Sequence, residues 1–278
     1  LEAQIEADRR AKLIARFNAG LTGKNWDEVY AAGKDLMQAS PDDFRDIELA
    51  LGTIGFDELY NKNNSKYNDE TLRFARQALT DMESGKTFKT YGVPNDFIYK
   101  SKENATGWMN LVIGYITQVG QKNKSAAASH LYKATQAASD TAKNPLPYEL
   151  IGYFYFDELD KLTTQIKGEV DSQKPEDTED VAKAKVEKIK GLVALANGTS
   201  ERAMEAFAKA HSLSTAKPYK DKMRLNIENA YKLRFAKGTD GMDAFIAEAV
   251  KKPFPNPMTP VTPISDPEPV KTDATSSA

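Results

Sequence analysis

The sequence contains no cysteine and only two histidines among its 278 residues. The absence of cysteine excludes disulfides, thiolate nucleophiles, iron–sulfur clusters and zinc sites built on thiolates. Two histidines leave little for a histidine-rich metal centre. We therefore expect no metal site and no cofactor.

An excess of positive charge is also missing. The 38 basic side chains are matched by 40 acidic ones, which gives a formal net charge of -2. Proteins that bind nucleic acid usually carry a strong basic surplus, because contacts to the phosphate backbone dominate their affinity. We therefore expect no nucleic-acid partner.

Long hydrophobic runs are absent as well. The longest tract without a charged side chain lies between Glu103 and Lys122, and polar residues such as Asn110, Thr117 and Gln118 interrupt it. The mean hydropathy of the chain is -0.57. This tract therefore predicts a buried helix and not a membrane span.

The familiar catalytic motifs do not occur. No G-x-G-x-x-G, H-E-x-x-H, G-x-S-x-G or EF-hand pattern is present, and the run from Gly20 to Lys24 lacks the residues that complete a phosphate loop. His130 and His211 lie on separate predicted helices among small and bulky residues, which favours a structural role. We therefore expect no catalytic residues and a protein that is not an enzyme.

The spacing of apolar residues is helical along most of the chain, since they return every three or four positions in segments rich in Ala, Lys, Glu and Leu. Ser40 before Pro41, Asn144 before Pro145, and the run Thr199 to Glu201 predict helix starts. The fold class predicted is all-α. Helices are expected near 3–20, 26–39, 43–61, 68–84, 105–119, 124–142, 146–167, 180–196, 200–213, 219–237 and 240–251.

Three segments depart from this pattern. Residues 85–104 mix aromatic and turn residues, which predicts an ordered loop or a short hairpin over a helix pair. Residues 168–180 are acidic and contain a proline, which predicts a mobile surface linker. Residues 253–278 are rich in Pro, Thr and Ser, which predicts a disordered or extended tail after a helical domain of residues 1–252.

Short patterns repeat within the helical domain. Tyr148, Ile151, Gly152 and Tyr155 follow the spacing W-x2-L-G-x2-Y with an aromatic in the first place, and Trp108 to Tyr115 repeats it with Val112 in place of the glycine. A small residue, a bulky one four positions later and a small one three later recur in second helices. Examples are Ala203, Phe207 and Ala210, and Ala127, Leu131 and Ala134.

These patterns resemble the tetratricopeptide repeat family, although the repeats are degenerate. The resemblance implies an α-solenoid, a superhelix in which helical hairpins stack and their small residues allow close approach. It also implies that Glu149, Tyr153 and Phe156 turn toward a concave surface where a protein or peptide partner binds. The lysine and asparagine pair with which some relatives hold a C-terminal carboxylate is absent from these helices.

The functional hypothesis is a non-enzymatic scaffold or adaptor that binds another protein, as a peripheral subunit of a larger cell-envelope assembly. The alternative is an envelope protein or enzyme that uses the aromatic and acidic residues on a carbohydrate or lipid. The sequence begins with Leu1 and not with Met, which predicts that a signal peptide or a membrane anchor precedes it. Such a segment fits a bacterial periplasmic or cell-envelope location, and a cytoplasmic location stays open.

Overall fold

The computed structural model describes residues 2–94, 97–235 and 238–266. Over these residues the chain forms eleven α-helices and one two-stranded sheet. This confirms the all-α class that the apolar spacing predicts. The α-helices are α1 (Glu2–Gly23), α2 (Trp26–Ala39), α3 (Pro41–Phe44), α4 (Ile47–Lys62), α5 (Asn68–Glu83), α6 (Lys102–Tyr115), α7 (Lys124–Gln136), α8 (Pro145–Asp171), α9 (Glu179–Leu213), α10 (Lys217–Phe235) and α11 (Met242–Ala249).

Helices that are neighbours in the chain are also neighbours in space. Helix α1 packs on α2, α4 on α5, α6 on α7, α8 on α9, and α10 on α9. Contacts between α2 and α4, α5 and α6, and α7 and α8 join one pair to the next. A π-helix (Ile116–Gly120) continues α6, and a 3₁₀ turn (Asp140–Lys143) precedes α8.

Close approach between helices depends on residues without a large side chain. A Cβ on Gly52 of α4 would lie 3.0 Å from the Cα atom of Ala75 on α5, and a Cβ on Gly152 of α8 would lie 2.5 Å from the ring of Phe207 on α9. Ile151 and Tyr155, which flank Gly152 in the repeat pattern, are buried. These glycines therefore let neighbouring helices approach, and the large residues beside them fill the space between the helices.

The segment 85–104 contains the expected short hairpin. Strand β1 (Gly92–Val93) pairs antiparallel with β2 (Phe97–Ile98), and both strands pack on α4. The carboxylate of Asp46 anchors the segment, because it accepts hydrogen bonds from the backbone N–H groups of Lys89 and Thr90 at 2.8 and 3.1 Å. Helix α6 then begins at Lys102, because Ser101 caps it through the backbone N–H of Asn104.

A buried charged cluster joins α4 and α5 beside this hairpin. Asp81 lies 3.4 Å from Arg45 Nε and 2.9 Å from Lys86 Nζ. Glu48 is buried next to Asp81, and among the described residues its Oε2 atom has no hydrogen-bond partner. Burial, followed by the negative charge of Asp81, raises the pKa of Glu48 to about 8.

The segment 168–180 is more helical than predicted. Helix α8 continues to Asp171 and α9 begins at Glu179, with the Thr178 side chain accepting from the backbone N–H of Val181. Lys185 Nζ donates to the Ser172 carbonyl at 2.6 Å and pairs with Asp177 at 2.7 Å. The linker is thus reduced to a turn that these contacts hold, and the distal parts of α8 and α9 form a largely exposed hairpin.

The break predicted near Thr199 is wrong, because α9 is continuous through it. The Thr199 hydroxyl donates to the Leu195 carbonyl within the helix at 2.8 Å. The Asn197 side chain donates outward to the carbonyl of Ile264 at 3.0 Å. The Thr199 hydroxyl is thus satisfied within α9, while Asn197 contacts another segment.

That segment is residues 253–266, which we call the strap. It has no helix or strand, as its prolines predict, but it packs on the body of the protein instead of being disordered. The ring of Phe254 lies 4.9 Å from that of Tyr148, the Ile264 N–H donates to the Ala194 carbonyl, and Arg234 pairs with Asp266 at 2.7 Å. Residues 267–278 of the predicted tail lie outside the described residues.

The cluster around Glu48 predicts a pH-dependent stability. An acid whose pKa is raised in the folded state holds its proton there while the unfolded chain releases it, so stability falls as pH rises from the ordinary glutamate pKa of 4.5 to about 8. We expect this slope to approach about 1.4 kcal/mol per pH unit. In Glu48→Gln this contribution to the slope disappears, so the stability of the variant relative to the parent rises with pH up to about 8.

Urea unfolding at several pH values measures this difference. Glu187→Gln on the exposed hairpin is the control, and its curve should run parallel to the parent. Parallel curves for Glu48→Gln as well would contradict the assignment.

Two glycines of α9 offer a matched test of the strap. A Cβ on Gly198 would lie 2.2 Å from the Thr262 carbonyl oxygen, whereas a Cβ on Gly191 would meet nothing within 4 Å. Alanine at an exposed helical position stabilises a protein by roughly 0.5–1 kcal/mol over glycine. Gly191→Ala should therefore stabilise the protein, and Gly198→Ala should release the strap and speed hydrogen exchange at the Ile264 N–H, which donates to the Ala194 carbonyl. Equal stabilisation by both variants would show that the strap does not pack on α9.

Candidate ligand-binding cleft

A cleft of about 630 Å³ lies where α4, the π-helix, α8 and α10 meet. Its volume falls within the range of roughly 300–1,000 Å³ that is usual for ligand pockets. Four tyrosines line it: Tyr60 on α4, Tyr115 at the end of α6, Tyr153 on α8 and Tyr219 on α10. The cleft therefore offers aromatic rings from four different helices.

Glu149 is the buried acid of this cleft. It lies on the second turn of α8, a helix that starts at Pro145 because the Asn144 side chain accepts from the backbone N–H of Leu146. Its carboxylate accepts a hydrogen bond from the Tyr219 hydroxyl at 2.6 Å and one from Lys222 Nζ at 2.7 Å. Both carboxylate oxygens are thus held by α10.

These contacts change the proton affinity of the two donors. Burial, and then the hydrogen bond to Glu149, raise the pKa of Tyr219 far above its ordinary value. Burial alone would lower the pKa of Lys222, but its hydrogen bond and charge interaction with Glu149 outweigh that effect and raise it. Tyr219 therefore stays a neutral donor and Lys222 a cation.

Tyr153 lies one turn after Glu149 and faces the same way. Its hydroxyl accepts a hydrogen bond from Asn226 Nδ2 at 3.1 Å, and Lys222 Nζ lies 5.5 Å from the centre of its ring. The ring also packs edge-on against Phe207, with 5.3 Å between centroids. Tyr153 is thus fixed by contacts on both sides while it lines the cleft.

Phe156 has a different position. Its ring lies 4.9 Å from that of Phe207 and 6.3 Å from that of Tyr153, and it does not line the cleft described here. The structure thus brings Glu149 and Tyr153 together and places Phe156 in the contact between α8 and α9, where it is half-buried. A role for Phe156 in binding a partner stays a prediction.

The π-helix supplies part of the cleft floor, and sequence reasoning missed it. Gln118 donates from Nε2 to the Leu150 carbonyl at 2.9 Å, while its buried Oε1 has no hydrogen-bond partner in the described part of the chain. An unsatisfied buried acceptor costs about 1–3 kcal/mol. The uncharged tract that contains Gln118 predicted a buried helix, but nothing in it indicated that Gln118 lines a cleft.

Lysines at the rim were missed as well. Lys122 follows the π-helix in the left-handed region with φ 57°, and Lys124 begins α7 and pairs with Asp157 of α8. Neither belongs to a motif, so no pattern of spacing marks them. Tyr219 and Lys222 were missed for the same reason, since only the packing of α10 on α8 and α9 brings them to Glu149.

Histidine and carboxylate side chains are the candidate metal ligands of this chain, which has no cysteine. His130 Nδ1 lies 2.9 Å from Asn110 Oδ1, and burial lowers its pKa, which fits a neutral ring in a packed position. Across residues 2–94, 97–235 and 238–266, no group of three His, Asp or Glu side chains is arranged to hold a metal ion.

No family model matches the chain, and no curated protein or solved structure is significantly similar to it. The likeness to tetratricopeptide repeats therefore remains a resemblance carried by the residues quoted above. Within the described ranges, no helix is both long and apolar enough for a membrane span.

The bond between Tyr219 and Glu149 predicts a measurable stability loss. Tyr219→Phe removes a donor to a buried carboxylate, and hydrogen bonds to charged groups contribute about 1.5–3 kcal/mol. We expect the free energy of unfolding to fall by about that amount in urea titrations. Tyr60→Phe is the control, because the Tyr60 side chain is more than half exposed, and it should change stability by less than about 0.5 kcal/mol. Equal effects of both substitutions would contradict the proposed bond.

Proposed function

We propose that this protein is a non-enzymatic scaffold or adaptor that binds a segment of another protein in the tyrosine-lined cleft. We further propose that its two-helix modules stack as a tetratricopeptide-like superhelix, with the cleft on the concave side. What supports the stacking is the order of helix contacts, in which each pair touches the next along the chain.

The observation that carries the binding proposal is the set of rings around the cleft. Tyr60 is 54% exposed at the rim, although it stacks on Phe56 at 5.6 Å and meets Tyr115 edge-on at 5.6 Å. Rings that are held by neighbours and still reach solvent lose little conformational freedom on binding, which makes them effective anchors for a partner.

A binding role is favoured over catalysis by the state of Glu149. A general acid or base needs a carboxyl group that can reach the substrate and exchange a proton with it. The Glu149 carboxylate is buried, and Tyr219 and Lys222 occupy both of its oxygens. Glu149 therefore acts in this proposal as the part that orients Lys222 and Tyr219.

The second candidate is a carbohydrate- or lipid-associated envelope protein, which the same rings favour because sugars also stack on aromatic side chains. A glycan and lipid panel with Tyr153→Ala and Glu149→Ala as comparison variants separates the two candidates. Binding of a glycan or lipid that both substitutions abolish would favour the second candidate.

A periplasmic or cell-envelope location and a place in a larger assembly also belong to the adaptor proposal. Localisation of a tagged chain in fractionated cells tests the location.

Photocrosslinking tests the adaptor proposal directly. A photoreactive phenylalanine derivative placed at Tyr60 or at Leu146 samples the cleft from two elements, and the same group at Val181 samples the exposed hairpin. In cells of the source organism, we expect one protein to be captured from both cleft positions and not from Val181. Capture of the same proteins from all three positions, or of none from the cleft, would overturn the proposal.

A further inference from the structure

The charges at the cleft are not balanced. Three lysines and one glutamate line it, and the glutamate is the buried Glu149 whose oxygens α10 occupies. Lys124 is paired with Asp157. Within the described residues Lys122 has no ion-pair partner, and the Lys222 side chain is still 55% exposed beside Glu149. The cleft therefore presents positive charge to solvent.

The backbone fixes where one of these charges lies. Lys122 holds a left-handed conformation, which is uncommon for residues other than glycine. It is bracketed by hydrogen bonds from the Gln121 N–H to the Ile116 carbonyl and from the Asn123 N–H to the Thr117 carbonyl. The turn that carries Lys122 is therefore held in place at the rim.

The floor and walls define what else a ligand must offer. At the floor, the Oε1 atom of Gln118 is buried beneath the surface, so the walls are what meet the ligand. The rings of Tyr60, Tyr115 and Tyr153 offer apolar faces to side chains between the acids. Peptides combine carboxylates and apolar side chains at short spacing.

We propose that the cleft recognises an acidic peptide segment of the partner, with carboxylates at Lys122 and Lys222 and apolar side chains on the tyrosine rings. This inference rests on the binding function proposed for the same cleft. It adds the charge of the segment that binds.

Fluorescence anisotropy with the full chain tests this inference. The probe is a short peptide that alternates glutamate and tyrosine and carries a neutral dye, and its counterpart has glutamine in place of every glutamate. We expect the acidic peptide to bind about tenfold more tightly at low salt. Its affinity should fall as ionic strength rises, because salt screens exposed charges.

Three lysine variants locate the bound peptide. Lys122→Gln and Lys222→Gln should each weaken the acidic peptide about threefold or more and weaken the glutamine peptide less. Lys190→Gln on the exposed hairpin removes the same charge from a side chain that is 60% exposed, and it should have no effect.

The outcomes distinguish this inference from the function on which it rests. Equal binding of both peptides, weakened by Tyr60→Ala, would overturn the charge preference and leave the adaptor proposal intact. Equal effects of Lys190→Gln and Lys122→Gln would overturn the location. Failure of both peptides to bind overturns the inference, as does cleft-dependent binding of an acidic polysaccharide in their place. Failure of the crosslinking experiment would instead remove the adaptor proposal itself.

Discussion

The close contact between Gly152 and the ring of Phe207 is the constraint on which the candidate site depends. A Cβ at position 152 would lie 2.5 Å from that ring, so α8 can approach α9 this closely only without a side chain there. Phe207 in turn supports Tyr153, the next residue along α8. Residues four apart share a helix face, so fixing Tyr153 also turns Glu149 toward α10. One small residue thus sets the wall of the cleft.

The polar contacts at that wall connect α8 and α10. Lys222 of α10 pairs with Glu149 and lies over the ring of Tyr153, while Asn226, one turn later, donates to the Tyr153 hydroxyl. Each contact restricts both partners, so the rings and the lysine are held in position before any ligand arrives. Such preorganisation lowers the entropy lost on binding. The cleft is therefore more ordered than a collection of surface side chains would be.

The sequence predicted the helical class and much of the helix placement because apolar periodicity and caps are local. Two helix caps show the limit of such local signals. The cap at Asn144 could be recognised because Pro145 follows it, whereas the cap at Ser101 lies in a stretch without helical spacing and could not. The helix break predicted at Thr199 is wrong. The neighbouring Asn197 and Gly198 instead contact Ile264 and Thr262 of the strap, more than sixty positions later in the chain, and such a distant contact leaves no local signal. Similarly, Glu149 and Tyr153 were found through a repeat pattern, but Lys222 and Gln118 reach the cleft only through packing between distant segments.

The two ends of α10 carry different contacts. One end contributes to the cleft, and the other end holds the last described residue of the strap. Tyr219 lies at the start of the helix in the cleft, and Arg234 lies at its far end, where it holds Asp266. Nineteen helical residues at 1.5 Å each span about 28 Å. A support attached at Asp266 would consequently lie at the Arg234 end of α10, and Tyr219 in the cleft would lie at the other end.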